Sequence, residues 1–353
     1  MGILNKTGYS YQDLTVVPKT ISEINSRSEC KPYYLNGFLP IFTAPMSCVV
    51  SVENFEIWKD NNIIPILPRT VKWEDRLKFL KEGEWVAVGL EEFKKLLENK
   101  PDTKTFTMKV LLDIANGHIK SVIELCREAK DRFGSQIEIM AGNIANPETY
   151  IDYCEAKIDY VRCSVGSGAG CLTTSNTGIH YPIATLIDEV RKIKDSRECD
   201  NRFCTKIIAD GGIRNYSDVI KALALGADYV MIGGLFSSLF ESAALPISNF
   251  QKEDSPNVIE FKDMYYCSKD SLVAEILSDW RGYMPQYKYE WIDGEGYDVT
   301  FWIKSYIQDE KYKRGFLRRL HERRQVLVKE FYGMSTKKAQ SLMGKDELKT
   351  SEG

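Results

Sequence analysis

The sequence predicts an α/β protein built as a (β/α)8 barrel, and three observations carry that expectation. From residue 39 onward, short apolar runs rich in β-branched residues alternate with amphipathic stretches, the pattern of strand-helix units joined into a parallel sheet. Eight such runs fit between residues 39 and 234, which matches a closed barrel in count and size. Reactive or conformationally permissive residues stand at the C-terminal ends of several runs, the ends that a barrel gathers on its chemical face. The alternative, a doubly wound open sheet, would need one switch point and usually about five or six strands.

Each strand is bounded by turn formers. The runs are LPIFTAPM (39–46), IIPIL (63–67), WVAVGL (85–90), MKVLLDIA (108–115), IEIMAG (137–142), IDYVRCSV (158–165), KIIADGG (206–212) and ADYVMIGG (227–234). Their near-continuous apolar character suits strands covered on both faces. Between them, HIKSVIELCREAKDRFG (118–134), PETYIDYCEA (147–156) and NYSDVIKALALGA (215–227) have helical spacing, the last with a glycine stop signal. The barrel is expected over 1–245.

Residues 246–330 break the pattern with polar and aromatic sequence, including SDWRGYMPQYKYEWIDGEGYDVTFWIKSY. A structureless connection of that length is unusual in a compact domain, so an inserted lid or subdomain is expected there. Lys311 to Lys329 is basic, with Phe316, Leu317, Leu320, Val326 and Leu327 at roughly helical spacing. Such a helix either binds an anionic partner or packs its apolar stripe and leaves its charges solvated. Residues 331–353 are expected to return to the barrel as a flap.

Composition narrows the function classes. A formal charge of −3 and 43% hydrophobic residues describe a globular chain without the basic balance of a nucleic-acid binder. The first residues lack a basic segment followed by an apolar one, and no apolar run approaches the ~18 residues of a membrane span. Nine scattered cysteines without CxxC pairs suggest neither a zinc site nor a disulfide framework, and three dispersed histidines offer no metal cluster. A reducing cytoplasm is the expected location.

Chemistry concentrates in VRCSVGSGAGCLTTSNTG (161–178). Backbone N–H groups of a glycine loop lower a thiol pKa and hold developing charge, so Cys171 reads as a nucleophile with Thr173 and Thr174 as hydroxyl relays. It reads equally as a small buried thiol beside a turn. ADGG (209–212) and MIGG (231–234) end the seventh and eighth runs, where barrels commonly hold phosphate. Tight turning is the simpler role for each Gly-Gly pair. Asp210 is placed to accept from a ribose diol or to cap the next helix.

An ordered series extends these features: SRSEC (26–30), TAPM (43–46), LDIANGH (112–118), IMAGN (139–143), the cysteine loop, TGIHYP (177–182), ADGG, MIGG and FYGMSTKKAQ (331–340). With it, the chain resembles the IMP dehydrogenase and GMP reductase family over about residues 8–245 and again from 331. The resemblance implies a TIM barrel that binds a purine nucleotide and works on C2 of its base through a covalent cysteine adduct. It makes Cys171 the nucleophile and Thr173 a proton relay. Asp210 would hold the ribose; Gly212, Gly233, Gly234 and Tyr332 the phosphate; Met46, Gly333, Met334 and Ser335 the base; and Asn143 and Gly168 would also bind the substrate. Arg69, Asp113, Asn116 and Gly117 fall where the family places NADPH or NAD. KTSEG (349–353) is similar to the reductase branch and puts Glu352 on its relay glutamate, so NADPH is the expected cofactor. No metal is expected; homo-oligomers, usually tetramers, are.

The loop departs from the family's G-P-G-S-x-C-T-T-R at Ser167, Ala169 and Leu172. Three functions therefore stay open: reductive deamination of GMP, the same adduct chemistry on a modified or deoxy purine nucleotide or in the dehydrogenase direction, and nucleotide binding without turnover.

Overall fold

The computed structural model describes residues 7–24, 26, 29–30, 33–34, 36–98, 106–167, 174, 177–199, 202–237, 239 and 242–243, with short strands at 246–247, 266–268, 291–292, 296–298 and 328–329. The chain divides into two units, Met1–Ser237 with Glu241–Ala244 and Phe331–Gly353, and Ser238–Phe240 with Leu245–Glu330.

The first unit is the expected barrel. In order it runs β1 (Ile41–Thr43), α1 (Phe55–Asp60), β2 (Ile66–Leu67), α2 (Trp73–Lys81), β3 (Trp85–Val88), α3 (Leu90–Glu98), β4 (Met108–Asp113), α4 (Lys120–Phe133), β5 (Ile137–Ile144), α5 (Thr149–Glu155), β6 (Tyr160–Cys163), α6 (Ile183–Cys199), β7 (Lys206–Asp210), α7 (Tyr216–Ala224), β8 (Tyr229–Ile232) and α8 (Gly234–Ser237). The strands pair in parallel as β1-β8-β7-β6-β5-β4-β3-β2. A bridge between Phe42 and Ile64 closes the ring. β2 is shorter than the apolar run IIPIL because Pro65 has no N–H for the ladder. Ile66 N–H then donates to the Thr43 hydroxyl across that seam at 2.9 Å.

Wide aromatics fill the N-terminal half of the barrel. Trp85, Tyr160 and Tyr229 begin their strands; Trp85 and Tyr160 pack edge-on with Phe42 and with each other, their rings 5.3 Å apart, and Tyr229 packs edge-on with Tyr160. Tyr34, ahead of β1, packs its ring edge-on against Tyr229 and donates its hydroxyl to the Asp228 carbonyl. Ala44, Ala87, Leu111, Met140, Ile208 and Met231 continue the core.

Two aspartates fasten helices to the sheet in the same way. Asp159, just before β6, accepts from Lys130 of α4 at 2.9 and 3.0 Å and from Ile139 N–H at 2.8 Å. Asp228, just before β8, accepts from Lys194 of α6 at 2.7 and 2.8 Å and from Ile207 N–H at 2.6 Å. Each carboxylate thus holds a strand edge and a largely buried lysine.

The second unit contains a three-stranded antiparallel sheet of β10 (Tyr266–Ser268), β12 (Gly296–Asp298) and β11 (Trp291–Ile292), and a pair of β9 (Pro246–Ile247) with β13 (Val328–Lys329). The basic stretch read as helical thus ends in strand at Val328 and Lys329. Lys311–Leu327 lies outside the described residues.

Candidate active site

The C-terminal strand ends place a charged cluster on top of the apolar core. Asp113 ends β4, Arg162 lies within β6 and Asp210 ends β7. Arg162 Nη1 donates to Asp113 Oδ1 at 2.8 Å. Its Nε and Nη2 both reach Asp210 Oδ2, at 3.0 and 2.9 Å. Asn143 Nδ2 adds a third donor to that oxygen at 2.7 Å. Arg162 is only 8% exposed. Burial opposes its charge, but Asp210 and Asp113 more than offset this and raise its pKa.

Glycine on the intervening strand makes the crossing possible. Asp113, Gly142 and Arg162 stand side by side on β4, β5 and β6, so a side chain at 142 would lie in the path of the guanidinium. A Cβ there would come within 2.6 Å of the Arg162 carbonyl and 2.8 Å of its Cβ, on a backbone with φ +139. Gly142→Ala is therefore expected to destabilise the protein by about 1–3 kcal/mol, measurable by urea titration. Wild-type stability would show that the strands part without cost. A register shift between Gly142 and Ile144 turns Asn143 toward Asp210.

The loop after β4 is tied to the same strand end. Gly117 N–H donates to the Asn143 carbonyl at 2.9 Å, and a Cβ on Gly117 would meet that oxygen at 2.7 Å. Asn116 Oδ1 accepts from His118 N–H at 3.0 Å, and Arg69, following β2, donates to the Asp113 carbonyl at 3.1 Å. Asp113, Asn116, Gly117, Asn143, Asp210 and Arg69 thus form one connected assembly, joined through Arg162. Met46 packs on the barrel core. Gly212 follows Asp210 with φ +73, and Gly233 and Gly234 follow β8. The capping role is not taken by Asp210: Asn215 caps α7, accepting from Ser217 and Asp218 N–H.

Gly168, Cys171, Thr173, Tyr332, Gly333, Met334, Ser335 and Glu352 lie outside the described residues. The two feet of the cysteine loop are described, and they meet. His180 Nδ1 lies 3.1 Å from the Val165 carbonyl, and a Cβ on Gly166 would fall 1.7 Å from Thr174 Oγ1. Gly178 N–H donates to the Thr174 carbonyl at 2.9 Å.

Sequence reasoning missed Arg162 and His118. The signal for Arg162 was a lone charge inside the apolar run YVRC, which only a buried counter-ion can accommodate. His118 accepts from Ala145 N–H on Nε2 at 3.0 Å, so its Nδ1 carries the proton that faces Thr149 Oγ1 at 2.9 Å. Partial burial lowers its pKa. Because the folded state favours the neutral ring, this stabilisation is complete above the ordinary value near 6.5 and is lost as pH falls through the lowered one. Melting temperatures between pH 5 and 7 should show the loss, and His118→Gln should flatten it. Equal slopes for both proteins would count against the tautomer.

Among the described residues, no group of His, Cys, Asp and Glu could hold a metal ion, and no helix is long and apolar enough to cross a membrane.

Comparison with known proteins agrees with the barrel fold. Residues 86–252 match the family model described as IMP dehydrogenase / GMP reductase domain. The GMP reductase of Helicobacter pylori (strain G27) is 30% identical over 292 residues, covering 75% of this chain and 86% of that protein. That of Oceanobacillus iheyensis is 29% identical over 292 residues, 75% of this chain and 85% of its own. That of Mesoplasma florum is 29% identical over 243 residues, 66% and 73% of the two chains. With a barrel of the right topology and an anchored cluster at its C-terminal face, the chain belongs to the IMP dehydrogenase/GMP reductase family and is a purine nucleotide oxidoreductase.

Proposed function

We propose that the protein carries out the reductive deamination of GMP to IMP and ammonia with NADPH. The observation that carries this reading is the similarity to relatives named GMP reductase, which spans three quarters of the chain. The barrel-top cluster supports it, because its groups have the chemistry that a nucleotide and a nicotinamide cofactor require.

Asp210 Oδ2 takes three donors, and among the described residues Oδ1 has no hydrogen-bond partner, which suits acceptance from a ribose diol. Asp113 likewise has Oδ2 open beside Asn116, Gly117 and Arg69, a set that fits a second ribose and the carboxamide of the cofactor. Glycine turns after β7 and β8 would bring backbone N–H groups to the phosphate, with Gly168 and Tyr332. Met46, Asn143, Gly333, Met334 and Ser335 would frame the base.

In this reading the Cys171 thiolate attacks C2, forming a carbon–sulfur bond, and the exocyclic amine leaves as ammonia. Thr173 and Glu352 pass the proton that the departing amine takes up. NADPH supplies the hydride that replaces sulfur at C2 and frees the thiolate. A fastened loop suits this cycle, because the thiol must meet C2 from one direction twice.

A second reading keeps this chemistry but changes the nucleotide. Ala169 removes a hydroxyl at a phosphate-facing loop position, at a cost of about 1–3 kcal/mol if a phosphate oxygen loses its only donor. Absorbance at 340 nm separates the readings when GMP, dGMP or IMP is added with the matching cofactor. Loss of NADPH signal with ammonia release on GMP alone is the expected result. A response to dGMP alone would move the assignment to the second reading, and no response to any would leave a nucleotide-binding protein.

A further inference from the structure

We propose that Arg162 is a positioning residue that couples nucleotide binding to cofactor binding, an inference that rests on the functional reading above. A single guanidinium holds both carboxylates that face the two ligands, with Nη1 on Asp113 and Nε with Nη2 on Asp210. Neither aspartate has another cationic partner among the described ion pairs. Arg69 reaches Asp113 only at its backbone carbonyl. The two subsites therefore share one charge.

Sharing has a definite sign. A ribose diol donating to Asp210 Oδ1 draws density from that carboxylate and weakens its hold on the guanidinium. The guanidinium then bears more strongly on Asp113 and fixes the orientation of its open Oδ2 for the second ligand. The gain is one of ordering: with Asp113 already fixed, the second ligand has less left to order. Gly142, between Asp113 and Arg162 in the strand register, adds no side chain to the gap that the guanidinium spans. The planar fork is essential to the device: an ammonium on a flexible stem is a point charge that serves one carboxylate at a time.

The predicted property is a positive coupling between ligands, which by linkage is the same measured from either side. The test is calorimetric titration of the full chain with NADP⁺, with and without saturating GMP, a pair that cannot react. For the wild type, GMP is expected to tighten NADP⁺ binding about fivefold or more, and NADP⁺ to tighten GMP equally. Arg162→Lys keeps the charge in place and is expected to bring the ratio below about twofold, with each ligand still binding alone. Asp113→Asn cuts the same link from the cofactor side and should abolish the ratio while GMP alone binds as before. Melting curves confirm that each variant is folded.

Wild-type binding of both ligands with no mutual effect would overturn the coupling and leave the functional reading intact. So would Arg162→Lys with the wild-type ratio. Failure of the wild type to bind either ligand would overturn the functional reading and the coupling with it.

Discussion

Cys171→Ala is expected to abolish turnover while nucleotide affinity stays within about threefold of wild type, a spread of less than 1 kcal/mol. In the proposed mechanism the sulfur is required only for the bond to C2, whereas binding would be distributed over Asp210 and the glycine turns. Cys163 ends β6 but is buried, and burial with the Asp210 charge raises its pKa far out of the reactive range. Burial alone pushes the Cys126 thiol up to about 12. A thiol in such surroundings is inert. Paired measurements of NADPH oxidation and GMP binding decide the matter, and retained turnover would sink the covalent mechanism.

Arg162→Met should cost about 3–5 kcal/mol of folding stability, because it leaves two largely buried carboxylates without their shared counter-ion. The methionine fills much of the same volume, so the loss is electrostatic rather than a cavity effect. Urea titrations of wild type and variant at pH 7.5 provide the check. A deficit under about 1 kcal/mol would show that water replaces the guanidinium at the strand ends.

Much of this architecture was legible in the residues. Seven of the eight strands fall inside the apolar runs and β5 overruns its run by two residues, since a strand covered on both faces must be largely apolar. The helices over 118–134, 147–156 and 215–227 begin and end within a few residues of their caps. Local rules were enough there because each element is encoded by its own neighbours in sequence. Asp113, Asn143 and Asp210 were also visible, as polar residues at the ends of apolar runs.

The closure of the ring was not legible, because the Phe42 and Ile64 bridge and the Thr43 hydroxyl on Ile66 join segments that no local pattern connects. Arg162 was passed over for the same reason. Its partners lie 49 and 48 positions away in sequence, and only the parallel register brings them under one guanidinium. Sequence by itself determined the barrel, its order of strands and helices, and which residues end them, because apolar period and turn chemistry are local properties. Tertiary structure alone decided that two of those ends share one buried charge: a charge can be buried only where distant strands supply its counter-ions.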